Sequence, residues 1–133
     1  MEAEKKHVLV IGLVLLAIGG VFGLPYVNWL RFELELRDEL GDKKLGRFAS
    51  AADLAAFPAK AARLAQAKGF ADVTLKPRLV NRSVGPVRWW FFELHLSSGP
   101  HTLFVARRME TKYGRGDLEA LEEEGFEVVR SSE

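Results

Sequence analysis

Glu93, His95 and His101 are the residues whose types could hold a metal ion or move a proton. Two imidazoles and a carboxylate form a workable ligand set for a divalent transition metal. Glu93 and His95 stand two apart in "RWWFFELHL", so on a strand they share a face. His101 must then be brought across a hairpin, and the register decides whether it arrives. With Ser97-Ser98-Gly99 as a three-residue loop, His95 faces His101. With Ser98-Gly99 as a two-residue loop, His95 faces Thr102 and the two imidazoles point to opposite sides. The shorter loop also aligns Phe92 and Leu94 with Val105 and Leu103 on one apolar face, so it is the expected register. On that register there is no metal site, and both histidines belong to the surface or the turn.

Other chemistry has less to stand on. The chain has no cysteine, so a disulfide, a thiolate nucleophile and a Cys-ligated metal are all impossible. No Ser lies in a Gly-x-Ser-x-Gly elbow, and there is no phosphate-binding loop or dinucleotide fingerprint. Arg115-Gly116-Asp117 matches an adhesion tripeptide, but Asp117 is better read as a helix cap. Asn81-Arg82-Ser83 accepts glycan only in a eukaryotic secretory protein. No catalytic, cofactor-binding or metal residue is assigned, no cofactor is expected, and the chain reads as a non-enzyme.

The elements around these residues begin with the run "HVLVIGLVLLAIGGVFGLPYVNWL", residues 7 to 30. Its seventeen residues from Val8 to Leu24 carry no charge and no strongly polar side chain, which is about 25 Å of helix. Carried on to Leu30 the run reaches about 34 Å, enough to cross a hydrocarbon core of about 30 Å. Its apolar residues cover every face, leaving no polar stripe for water. Lys5, Lys6 and His7 could open a signal peptide, but no clean A-x-A cleavage site follows. The expectation is a retained transmembrane helix over 8–30, with Tyr26 and Trp29 as anchors at the membrane interface. Gly12, Leu16, Gly19 and Gly23 make one stripe on that helix, and small residues let two helix backbones approach closely in lipid. A helix–helix contact is expected there.

The rest of the chain is one small domain. "LRFELELRDEL" alternates like a strand, yet Glu, Leu and Arg are strong helix formers, and Glu33/Arg37 is a well-oriented i,i+4 pair. It is read as helix ending near Gly41. "SAADLAAFPAKAARLAQAKGF" starts with a capping box, Ser50 with Asp53, and closes at Gly69. Its apolar stripe is Leu54, Phe57, Ala61, Leu64 and Ala65, and Pro58 should kink or break it. Three antiparallel strands follow, over 73–80, 87–96 and 101–108, separated by "VGP" and "SSGP". A short helix capped by Asp117 and closed by Gly125 leads to a last strand over 126–130. The fold class is α+β: one N-terminal transmembrane helix, then a small domain with a mainly antiparallel three- to four-stranded sheet packed on helices. The expected division is an N-terminal tail over 1–7, the transmembrane helix over 8–30, a juxtamembrane helix and linker over 31–49, and the α+β domain over 50–133.

Two further features suggest binding. Trp89, Trp90, Phe91 and Phe92 put large apolar groups on both faces of one strand, so one face is a candidate for docking a partner. The formal charge of +1 hides a segregation: residues 60–115 carry eleven basic and three acidic groups, and residues 116–133 one basic and seven acidic. Neutralisation within the fold is the simpler reading of this, and an anion-binding surface the sharper one. The layout of one apolar N-terminal helix running into an α+β domain is similar to that of pilin-like proteins. The Gly at the cut and the early Glu of those proteins have no counterpart between Lys6 and Leu16, so no family is assigned. The resulting expectation is a single-pass, signal-anchored membrane protein, of bacterial inner-membrane type, with its domain on the periplasmic side. The domain would serve protein–protein interaction, as an accessory or assembly subunit or a homo-oligomer. The alternative is binding of anionic lipid headgroups or another polyanion through the basic middle segment. Nucleic acid is not expected.

Overall fold

A computed structural model describes residues 24–41 and 44–132. Within these residues the fold is α+β, with three helices and a four-stranded mixed sheet. Most of the expected transmembrane helix, with the contact assigned to Gly12, Leu16, Gly19 and Gly23, lies outside the described residues. No helix among the described residues is long and apolar enough to cross a membrane.

The ambiguous segment is helical. Helix α1 spans Leu24–Glu39. Its buried side is Trp29, Phe32 and Leu36, continued by Leu40 just past its end, a stripe at helical spacing that packs on the sheet. Two α1 side chains cap edge-strand carbonyls: Trp29 Nε1 donates to Thr102 O at 3.1 Å, and Arg37 Nη2 to Phe104 O at 3.3 Å. These contacts occupy acceptors that an exposed sheet edge would offer to another chain. They also show that α1 runs alongside β3 with its N-terminal half at the start of that strand.

Helix α2, Ala51–Ala67, keeps both predicted ends. Ser50 Oγ accepts from Asp53 N at 3.2 Å, and Asp53 Oδ2 accepts from Ser50 N at 3.4 Å. Gly69 takes φ +91°, so Phe70 N reaches back to Ala65 O at 3.1 Å and closes the last turn. Pro58 does not break the helix: α2 runs through it, held by the buried residues Leu54, Phe57, Ala61 and Ala65 around it. Glu39 at the end of α1 accepts from Lys44 at 2.8 Å and pairs with Lys60 of α2 at 2.6 Å. The hydrogen bonds from Lys44 and Lys60 hold its carboxyl below the ordinary carboxylate value.

Strands β1 (Thr74–Val84), β2 (Val87–Ser98) and β3 (His101–Met109) form an antiparallel meander. Gly85 at φ +62° and Gly99 at φ +57° turn the two hairpins. The second loop is Gly99-Pro100, one residue later than the sequence suggested, because Ser98 pairs with His101. The β1–β2 hairpin extends past the end of β3, whose last pairing sets Met109 against Trp90.

Helix α3, Arg115–Glu123, has Gly114 as its cap; Asp117 is the third helical residue, and its carboxylate accepts from Gly114 N at 3.2 Å. The cap predicted at Asp117 is thus displaced by three residues. β4 (Glu127–Ser132) then pairs parallel to β1, so the sheet order is β3-β2-β1-β4. A parallel partner needs a crossover, and α3 supplies it from one sheet edge to the other. All three helices pack into one core with Leu79, Phe92, Leu94, Leu96, Val105 and Met109 of the sheet.

Candidate functional site

With the helices on one side, the register assigns every strand residue to the helix-covered face or the open face. On the open face the pairing gives successive rows across the strands. Thr74, Ser97 and Thr102 make a hydroxyl row, followed by Lys76, His95 and Phe104. Then come Glu127, Arg78, Glu93 and Ala106, and next Val129, Val80, Phe91 and Arg108. Two rows lie past β3, Arg82 with Trp89 and then Val84 with Val87. Four cations and four aromatic or imidazole rings therefore share one surface with the carboxylates of Glu93, Glu127 and, 3.4 Å from Arg108, Glu110.

All three carboxylates are engaged, Glu110 with Arg108. Glu93 is 4% exposed and lies between two guanidinium groups: Arg78 Nη1 is 3.3 Å from one oxygen and Arg82 Nη2 3.1 Å from the other. Arg78 Nε lies 3.1 Å from Glu127 Oε2, close enough for an ion pair but misaligned for a hydrogen bond. The buried carboxylate restrains both arginines, whose side chains remain 29% and 45% exposed. Arg108 places its guanidinium 4.6 Å from the centre of the Trp89 ring. Lys76 is exposed and has no ion-pair partner among the described residues.

One end of this face is hollow. A shallow depression of about 570 Å³ is lined by the hydroxyl row, by Lys76, Arg78 and His95, by Phe104, which is 43% exposed, and by one carboxylate, Glu127, which lies against Arg78. The His95 and Phe104 rings stand 4.5 Å apart. Cation, imidazole, aromatic ring and hydroxyls together can hold a phosphate-bearing or other anionic group.

The residues singled out from sequence separate. Trp89 and Phe91 lie on the open face. Trp90 and Phe92 lie on the helix side, where Phe92 meets Phe57 edge-on and Trp90 meets Tyr113. The aromatic run is therefore two half-patches back to back. His95 and His101 point to opposite faces, His101 stacking on Trp29 with ring centres 5.4 Å apart. Two-residue looping is enough for this, since moving the loop by one residue shifts the pairing by two and keeps the facing. Tyr26 is exposed, but Trp29, expected at the membrane interface, is 3% exposed inside the domain core. Phe104, Lys76, Arg78, Arg82 and Arg108 were not singled out in sequence. Their signal was the alternation of residues 76, 78 and 82, legible only once the strand limits and register are known.

Compared with protein-family models, with curated proteins and with solved structures, the chain gives no match.

Proposed function

We propose that the chain is a binding module that recognises an anionic surface through the open face of its sheet, on a domain tethered by the apolar run before α1. The observation carrying this is the clustering of Lys76, Arg78, Arg82 and Arg108 with Trp89, Phe91 and Phe104 on one face. Spread along the sequence, these cations are most simply read as neutralised within the fold by the acidic C-terminal segment. Gathered beside aromatic surface, they favour the anionic alternative over simple neutralisation by the acidic C-terminal segment. Among the described residues that segment engages the face only at Glu127.

The test is salt elution of the full chain from an immobilised polyanion in neutral detergent. A K76E/R82E double variant should elute at markedly lower salt, because exposed cations contribute through screened Coulomb attraction. R63E, on exposed α2 away from this face, should elute close to the unmodified chain. Equal elution of the double variant and the unmodified chain would refute the reading.

A second reading, docking of a protein partner or second copy, is favoured by the outer side of α1. Tyr26, Leu30 and Leu34 follow at i, i+4 and i+8, and Leu34 is 69% exposed. The chain has no cysteine, so L34C forms a disulfide dimer only if two copies meet there. A ladder with a single band of monomer size would remove the second copy from that reading.

A further inference from the structure

We infer that the hollow at Lys76, His95 and Phe104 receives the phosphate-bearing headgroup of an anionic lipid from the membrane that tethers the chain. The inference rests on the anion-binding, tethered reading above and adds a ligand, a place and an orientation to it.

The argument is positional. Trp29 is hydrogen-bonded to Thr102 O and stacked on His101, so the N-terminal half of α1 docks at the start of β3. Thr102 belongs to the hydroxyl row that lines the hollow. Between Trp29 and Leu24, where the apolar run ends, the helix rises only about 7.5 Å. The hollow is therefore at the end of the sheet nearest the apolar run. The far end, where Arg88 pairs with Ser83, is seven residues along β1 from Lys76, about 23 Å away. Of the basic groups on the sheet, those nearest the headgroup layer are Lys76 and Arg78.

The chemistry of the hollow agrees with that place. Lys76 offers an ammonium that is unpaired among the described residues, and Arg78 is restrained by Glu93 and Glu127. The hydroxyls of Thr74, Ser97 and Thr102 can bond phosphate or glycerol oxygens. Phe104, half exposed beside His95, provides the amphipathic border that aromatic rings form at a headgroup layer. A concave site favours one headgroup held among several groups, whereas a flat cationic patch would attract the bilayer without selecting a lipid.

The test uses the full chain in lipid nanodiscs, with the quenching that F104W adds over that of the native Trp29, Trp89 and Trp90 as reporter. Lipids carry a nitroxide on the headgroup, either on an anionic or on a zwitterionic species. The expected result is quenching at position 104 by the labelled anionic lipid, several-fold stronger than by the zwitterionic one. K76E should abolish the preference, while R88E, at the far end, should leave it intact. F48W, placed on the exposed loop between α1 and α2, should show no preference. Equal quenching by both lipids means proximity without selection and overturns the inference, as does no quenching at all. Glycerol phosphate binding in neutral nanodiscs as strongly as the lipid would assign the hollow to a free phosphate ester and also overturn it. In each of these cases the polyanion elution experiment still decides the broader reading independently.

Discussion

Substituting Glu93 by Gln tests the packing and the binding face together. Glu93 is 4% exposed and pairs with Arg78 and Arg82. Removing one partner of a fully buried pair costs about 3–5 kcal/mol. Here the arginine side chains remain 29% and 45% exposed, so water compensates much of the loss. Gln keeps the shape and one acceptor but turns an amide donor towards a guanidinium. The expected destabilisation is therefore about 1–2 kcal/mol, or roughly 5–15 °C in Tm for a domain of this size. Thermal unfolding of the full chain in neutral detergent, followed by circular dichroism, measures it. The same substitution raises the net charge of the open face by one, so polyanion elution should move to higher salt. A double-mutant cycle with R82A should recover a coupling of at least about 0.5 kcal/mol. An unchanged Tm, or elution at lower salt, would refute the view that Glu93 both restrains and partly neutralises these arginines.

Trp29→Ala should cost about 3–5 kcal/mol, since it empties core volume and leaves Thr102 O without its indole donor; a loss under about 1 kcal/mol in denaturant unfolding would return Trp29 to an interfacial role. Tyr113 OH donates to Ala49 O at 2.8 Å, and burial pushes its ionisation from 10 up to about 12. The unfolded chain ionises first, so this stability is complete below pH 10 and is lost as pH rises from 10 to 12, about 2–3 kcal/mol in all. Tyr113→Phe should flatten that alkaline slope while costing about 1 kcal/mol at neutral pH; an equally steep slope in the variant would be the contrary result. Gly69→Ala meets no atom within 4 Å, so its cost of about 1 kcal/mol comes only from holding φ +91° with a side chain. Ser50→Ala should lose a similar amount by leaving Asp53 N without its cap; no Tm change in either would contradict the cap assignments.

Local chemistry was legible in the sequence because its causes are local. The Ser50–Asp53 box, the Gly69 and Gly125 closures and the two Gly turns depend on residues three to five apart, and α2, β2 and β3 stand close to their expected places. The opposite facing of His95 and His101 also followed, since facing depends only on parity along the hairpin. Propensity decided α1 as a helix, but not which side of it would be buried. Leu30 and Leu34 looked as fit for the core as Phe32 and Leu36, and only the position of the sheet chose between them.

The binding face was not legible for the same reason. Lys76 on β1, His95 on β2 and Phe104 on β3 are separated by 19 and then 9 positions in the chain, yet stand in one row. Trp89 and Trp90 are adjacent in the chain yet lie on opposite sides of the sheet. The amino-acid sequence determined the elements, their caps and turns, and the apolar run that precedes them. The tertiary structure decided the register, the parallel placement of β4 beside β1, the burial of Trp29, and the face on which the cations meet. Each of these depends on pairings between distant residues, whose free energy arises only when the sheet and its helices assemble together.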